Sequence, residues 1–320
     1  MDVGKKKRAV ITGGAGFIGS HLARCLLDQG YEVDALDVVS PTQPLRGVRY
    51  HSVDVRKAQS LEPFMATADV VYHFAAIVSV PECETKPQLS YETNFMGTLN
   101  VAEAIKKSGS SARLIFASSS AVYSNLGREG LKLSERLGLP DPASLYAAQK
   151  LASEQLLRIY SRQHGLPVSI FRFFNVYGPG QASNSPYSGV ISKFNSVLSG
   201  GTSPVQIHGT GAQTRDFIWV EDVARACLLA ATTPLELCDG RPWNLGTGVS
   251  VSVLELSALM KELWGVTLED ERVEERRGDV RHSTADSSAV QVALGWKPQV
   301  SLKEGLSNLK QRISTQRKAA

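Results

Sequence analysis

Residues Thr12-Gly13-Gly14-Ala15-Gly16-Phe17-Ile18-Gly19 constrain this chain more than any other segment. They directly follow the apolar run Ala9-Val10-Ile11 and open a stretch, Phe17 to Gln29, whose apolar residues have helical spacing. A strand, a glycine turn and a helix in immediate succession are the opening unit of a doubly wound α/β sheet. Glycines 13, 16 and 19 permit the tight turn, the close approach of a diphosphate and tight helix-to-strand packing. The helix N-terminus then offers N–H groups and partial positive charge to the phosphates. A lone glycine loop often serves only a turn; its place at the first strand–helix junction marks a dinucleotide site.

The alternation continues. Tyr31 to Val39, Asp69 to Ala75, Arg113 to Ala117 and Val168 to Phe174 read as strands, Tyr91 to Ser108 and Leu145 to His164 as helices. Strand and helix in turn predict a Rossmann-type parallel sheet over residues 1–174, rejoined by about 217–246. After Phe174 the pattern changes. Residues 178–211 are rich in Gly, Pro, Ser and Asn; Phe217 to Val220 and Ala224 to Ala231 read as a strand and a helix. Residues 250–310 hold helical pieces broken by the charged stretch Glu269 to Arg281. Residues 175–320 therefore read mainly as a smaller α/β domain for the substrate, since loop-rich additions to a rigid sheet carry specificity.

Composition excludes several classes. A hydrophobic share of 42% in 320 residues is that of a globular chain, not a disordered or fibrous one. A net charge of +4 is too small for a dedicated nucleic-acid binder, though it suits an anionic small molecule. Cys25, Cys83, Cys227 and Cys238 form no CxxC pair and no His-partnered spacing, so neither disulfides nor a metal is expected. The basic run Lys5 to Arg8 is followed by no apolar region fit for translocation, and no segment has the length of a membrane span. The expectation is a soluble cytoplasmic protein with no nucleic-acid or membrane partner.

Asp37 ends the second strand, eighteen residues past Gly19. A carboxylate there accepts hydrogen bonds from an adenosine ribose and repels a 2′-phosphate, which favours NAD over NADP. Asp54-Val55 follow another short strand, where they can meet the adenine edge. Farther on, Ser118-Ser119-Ser120 lie at the C-terminal end of a strand, where α/β sheets bind ligands. Tyr146 and Lys150 are one helical turn apart on one face. Either pairing occurs by chance on many surfaces; together with the glycine fingerprint, chance is a poor explanation.

With these motifs in order, the sequence resembles the extended short-chain dehydrogenase/reductase family, and within it the NAD-dependent nucleotide-sugar epimerases of UDP-glucose and UDP-N-acetylglucosamine 4-epimerase type. The resemblance runs over residues 7 to 310. It rests on TGGAGFIGSH (12–21), HFAA (73–76), NFMGTLNV (94–101), SSSAVY (118–123), YAAQK (146–150), FRFFNVYGP (171–179), GAQTRDFIWVEDV (211–223), NLGTG (244–248) and RRGDVRHSTAD (276–286). It implies Tyr146 as the general base at the sugar 4-hydroxyl, Ser119 as the hydroxyl that orients or relays the proton, and Lys150 as the cation that favours the phenolate and holds the nicotinamide ribose. It implies a cofactor site that also includes Phe17, Ile18, Phe74, Ala75, Ala76, Asn94 and Phe174. The implied substrate contacts are Asn175, Arg215 and Arg276 at the diphosphate, Gln206 and His208 at the uracil, and Asp279 at its ribose. Ser79, Ser120, Gly189 and Val190 complete them. A homodimer through the helices 91–108 and 144–164 is implied as well.

The resemblance also frames the reaction. Related dehydratases carry an Asp-Glu pair directly after the catalytic hydroxyl, and decarboxylases usually a carboxylate at the second position; here stand Ser120 and Ala121. Without an added acid or base, a transient 4-keto intermediate is reduced again, and turning over first inverts C4. The expected reaction is 4-epimerisation of a UDP-hexose with tightly bound NAD. Ser283 occupies the position beside the C2 substituent, where a small residue admits an N-acetyl group, so UDP-GlcNAc/UDP-GalNAc is expected to be accepted alongside UDP-Glc/UDP-Gal. The alternatives are a dehydratase, decarboxylase or reductase of the same family, or a non-catalytic dinucleotide sensor. Ser124, where relatives usually have Gly, is a departure that touches the loop after the serine strand.

Overall fold

Side-chain alternation along the first strand shows how the layers are arranged. In the computed structural model, which describes residues 6–137, 139–182, 189–200, 203–275 and 280–319, β1 (Arg8–Thr12) sends Ala9 and Ile11 into one buried cluster and Val10 into another. A strand buried on both faces needs helices on both sides. The chain continues through α1 (Phe17–Asp28), β2 (Glu32–Asp37), β3 (Val48–Ser52), α2 (Glu62–Met65), β4 (Val70–His73), α3 (Val80–Thr85), α4 (Pro87–Tyr91), α5 (Gly97–Ser108), β5 (Arg113–Ser119), α6 (Leu145–His164) and β6 (Val168–Phe173). The second half adds β7 (Asn175–Tyr177), α7 (Val190–Leu198), β8 (Val205–His208), β9 (Thr214–Arg215), β10 (Phe217–Trp219), α8 (Val220–Ala230) and β11 (Asp239–Leu245). It ends with β12 (Val251–Ser252), α9 (Val253–Trp264), β13 (Asp270–Val273), β14 (His282–Ser283), α10 (Ser288–Leu294) and α11 (Leu302–Ala319).

Seven strands pair in the order β11-β6-β5-β4-β1-β2-β3, all parallel. The fold is the Rossmann-type α/β class. Leu22 and Leu26 of α1, Val223 and Ala226 of α8 and Val290 of α10 fill one face of the sheet. Met65 of α2, Val101 and Ile105 of α5 and Leu157 of α6 fill the other. Strand order reverses between β1 and β4, which opens a crevice at their carboxyl ends. A separate core gathers Ile191 and Phe194 of α7, Val205 and Ile207 of β8, Leu256 and Met260 of α9 and Leu306 of α11. β10 joins the two: Ile218 faces the sheet cluster, Phe217 and Trp219 the second core. Among the described residues no helix is long and apolar enough to cross a membrane.

Several elements differ from the sequence reading for physical reasons. The helix expected over 91–108 is α4 and α5 joined by a π-helical turn, Glu92–Met96, which turns Asn94 inward. α8 begins at Val220 rather than Ala224, with Glu221 and Asp222 in its first turn, where carboxylates favour the helix dipole. β11 carries Gly240, Arg241 and Pro242, which mask its strand character; proline is tolerated because β11 is an edge strand. Part of the charged stretch forms β13, paired in parallel with β8.

Candidate active site

Conformation at two glycines shapes the floor of the crevice. Gly13 has φ +72°, and a Cβ there would lie 2.7 Å from the Ala75 nitrogen. A Cβ on Gly19 would lie 2.4 Å from the Gly13 carbonyl oxygen, so β1, α1 and the segment after β4 close together only without side chains. The N-cap of α1 is Gly16, which supplies no side-chain cap to the first-turn N–H groups. Above this floor lies a cavity of about 660 Å³ lined by Gly13, Gly16, Phe17, Ile18, Gly19, Asp37, Asp54, Val55, Phe74, Ala75, Ala76, Ser119, Tyr146, Lys150 and Phe174. The cradle and its bare N–H groups fit the diphosphate of NAD.

Asp37 accepts from the Ala15 N–H at 3.1 Å and the Val39 N–H at 3.2 Å, and so holds the glycine loop as well as lining the cavity. Asp54 is gripped by Arg56, whose Nε lies 3.0 Å from each carboxylate oxygen and whose Nη2 lies 2.6 Å from Oδ2. That hydrogen bonding holds the Asp54 carboxyl below its ordinary range. Asn94 stands behind the cavity wall rather than in it. Buried at 1% exposure, its amide accepts the Ile77 N–H at 2.8 Å and donates to the Ile77 carbonyl at 3.0 Å and to Gln149 Oε1 at 2.7 Å. It acts through Ile77, which does line the cavity.

His73 braces the same wall. Thr98 donates its hydroxyl to the Asn94 carbonyl at 2.7 Å and so accepts from His73 Nε2–H at 3.0 Å; His73 Nδ1 then accepts from the Thr12 hydroxyl at 2.7 Å. Burial, reinforced by the Lys150 charge, lowers the His73 pKa to about 3, so the ring is neutral in this chain of bonds.

The reacting end is built by α6 against β5. Ser144 caps α6 by accepting the Ala147 N–H at 3.2 Å, and Gly165, at φ 66°, ends it. Lys150 is buried at 2% exposure and donates to the Ala117 carbonyl at 2.8 Å. The Tyr146 ring centroid lies 5.9 Å from the Lys150 Nζ, and the phenol hydrogen-bonds with Ser119. Burial pushes the Tyr146 phenol up to about 12, opposed by the Ser119 hydrogen bond, and lowers Lys150 to about 8. One turn beyond Lys150, Glu154 accepts from Ser118 and takes a two-pronged ion pair from Arg172 of β6 at 2.9 and 2.6 Å. Arg172 also donates to the Tyr123 hydroxyl at 2.6 Å, which donates to Asn244 at 2.9 Å. This buried clamp, absent from the sequence reading, fixes the helix of Tyr146 and Lys150 against the strand of Ser119.

A second cavity, about 620 Å³, is lined by Gly189, Val190, Gln206, His208 and Arg215, together with Lys193, Phe194, Gln213, Val253 and Glu271. In β8, Val205 and Ile207 point into the core, so Gln206 and His208 fall on the cavity side. His208 Nδ1 lies 2.9 Å from the Glu274 carbonyl oxygen. Gln181 lines the first cavity, and a Cβ on Gly189 of the second would lie 3.3 Å from its amide nitrogen, so this side chain stands between the two. Nothing in the sequence pattern singled it out.

Ser79, Ser120, Asn175 and Ser283 line neither cavity. Ser79 caps α3 through the Glu82 N–H at 3.1 Å. Asn175 donates to the Asp216 carbonyl at 3.2 Å, and Ser283 is buried in β14, in register with Arg215 of β9. Arg276 and Asp279 lie outside the described residues. Among the described residues no cluster suited to a metal ion is found.

Known proteins resemble this chain over most of its length. The UDP-glucose 4-epimerase of Mycolicibacterium smegmatis is 33% identical over 94% of this chain and 96% of its own. A UDP-glucuronic acid decarboxylase of Xenopus tropicalis is 31% identical over 94% of this chain and 71% of its own. Among solved structures, the UDP-glucose 4-epimerase of Thermotoga maritima with UDP-glucose superposes with a TM-score of 0.90 at 31% identity, covering 97% of this chain and 99% of that one. The UDP-N-acetylglucosamine 4-epimerase of Methanobrevibacter ruminantium, in complex with UDP-N-acetylmuramic acid, gives 0.88 at 33% identity, covering 98% and 99%. The family described as NAD dependent epimerase/dehydratase matches residues 9–246. With its glycine cradle, its Tyr146–Lys150 helix and this match over most of its length, the chain belongs to the NAD-dependent epimerase/dehydratase family, and its cofactor is NAD.

Proposed function

We propose that this protein is a UDP-hexose 4-epimerase that takes UDP-N-acetylglucosamine and UDP-glucose. One observation carries the reading. Tyr146, Ser119 and Lys150 converge on the cofactor cavity, while the two positions after Ser119 hold Ser120 and Ala121 and supply no added acid or base for losing water or carbon dioxide. The glycine cradle, Asp37 and Lys150 would hold NAD, which would supply the hydride acceptor for the sugar C4 and the donor for its return. The chain's own part is proton work and orientation. Tyr146 removes the 4-hydroxyl proton as C4 is oxidised and gives it back on reduction. Its phenol is a weak base when buried without charge, so the Lys150 ammonium beside it favours the phenolate. Ser119, bonded to that phenol, orients the reacting hydroxyl.

The second cavity suits the UDP moiety. Arg215 matches phosphate oxygens, the N-terminus of α7 at Gly189 adds N–H groups, and His208 and Gln206 face the pyrimidine. Acceptance of an N-acetyl group at C2 rests on the small size of Ser283 in the sequence; the side chain itself is buried in β14, beside Arg215 in register, and lines neither cavity. The dimer proposed with this function uses α4 to α5 and α6, where Tyr91, Met96, Leu145 and Ile159 are exposed apolar side chains. NMR of purified protein incubated with each sugar nucleotide and no added NAD tests the reading. Both 4-epimers are expected to accumulate; a 6-deoxy-4-keto sugar in their place would make it a dehydratase, and a pentose formed from UDP-glucuronic acid in a parallel incubation would make it a decarboxylase.

A further inference from the structure

Asp216 follows Arg215 directly, is fully buried and lines neither cavity, yet it is bonded to three segments, two of which carry proposed substrate contacts. Its carbonyl accepts from the Asn175 backbone N–H at 3.0 Å and the Asn175 amide at 3.2 Å. Its carboxylate accepts from the Thr247 N–H at 2.8 Å, the Thr247 hydroxyl at 2.6 Å, the Gly248 N–H at 2.8 Å and the Ala285 N–H at 3.1 Å. Ala285 lies two residues after Ser283, whose strand is in register with Arg215. The loop closes tightly on the carboxylate: a Cβ on Gly246 would lie 2.7 Å from Asp216 Oδ2 and 2.6 Å from the Ala285 Cβ.

All four partners of the carboxylate are donors, so the group that fits is an acceptor at both oxygens. Burial raises its pKa, and the four donors oppose that rise. An apolar side chain would avoid the buried charge but leave three backbone N–H groups and the Thr247 hydroxyl without this acceptor. What the carboxylate adds is a fixed geometry between β9, the 246–248 loop and the strand of Ser283.

We propose that Asp216 is a positioning residue of the nucleotide-sugar pocket: by tying the Asn175 and Ser283 strands and the 246–248 loop together behind it, Asp216 fixes Arg215 where it grips the diphosphate. The inference rests on the UDP-sugar reading above. Asp216→Asn keeps the shape but sets an amide N–H against an N–H donor, whereas Thr247→Val removes one donor and Thr247→Ser keeps it.

Calorimetric titration of UDP into the NAD-containing protein tests this. Asp216→Asn is expected to weaken UDP binding by about tenfold or more, with NAD content per chain unchanged. The KM for UDP-sugar should rise by more than kcat falls. Thr247→Val should weaken UDP about threefold, and Thr247→Ser should restore it. Variants that bind UDP as tightly as the unaltered protein, while losing only thermal stability, would overturn the proposal and leave the UDP-sugar reading standing. An unaltered protein that takes up no UDP would overturn both. Should Asp216→Asn fail to fold, the two Thr247 variants decide the matter alone.

Discussion

Tyr146, Ser119 and Lys150 owe their chemistry to a few ångströms of packing. Removing the phenolic hydroxyl with Tyr146→Phe should lower kcat by about a hundredfold to ten-thousandfold with NAD retained, as expected for loss of a general base. Single-turnover reduction of the bound cofactor would measure it. Lys150, lowered to about 8, keeps its proton below that pH and loses it as the pH rises through it. The rate should therefore fall on the alkaline side of about pH 8. Lys150→Arg, which stays charged, should lack that limb, whatever its absolute rate. The pair was legible because its four-residue spacing is a property of the helix itself. Asp54 was not: the sequence placed it at the cavity but could not show that Arg56, two residues on, grips its carboxylate. Nor could spacing reveal that a π-helical turn buries Asn94 behind the cavity wall, or that Asp216 gathers donors from 247, 248 and 285.

Each element's legibility follows from how local its signals are. The limits read for α6 match because its stop and start are local: Ser144 caps, Gly165 adopts a left-handed conformation, and the apolar spacing between them is helical. β11, β8 and β13 carry no comparable signal. Their strand character comes from partners far along the chain, β6 for the first and each other for the last two. The clamp between α6 and β6 is likewise non-local, and it is where α6 is most vulnerable. Glu154 is 1% exposed and Arg172 3%. Glu154→Ala leaves a buried guanidinium without its carboxylate and should cost about 3–5 kcal/mol of stability, measured by urea unfolding. Ser144→Ala, which removes only the cap, should cost about 1 kcal/mol in the same assay.

At the scale of the whole molecule, the parallel sheet sets one cavity at its strand reversal and the second core holds another beside it, with Gln181 between them. The sheet was legible from alternating periods of two and three-to-four; a second, smaller domain was legible from the change of pattern after Phe174, but its short strands β8 and β13 were not, because strands of four residues in loop-like or charged sequence show no period of their own. The exposed apolar side chains on α4 to α6 are expected to join two copies. Light scattering should give twice the chain mass, and Ile159→Glu, half-exposed on α6, should shift it toward one. The central claim is that hydride leaves and returns to the same carbon within one closed site. The most direct measurement is NMR of the products from UDP-glucose and UDP-N-acetylglucosamine each deuterated at C4, with no NAD added. The account predicts 4-epimers that keep the deuterium at C4; epimers that have lost it to solvent, or a labelled sugar that comes back unchanged from protein that contains NAD, would contradict it.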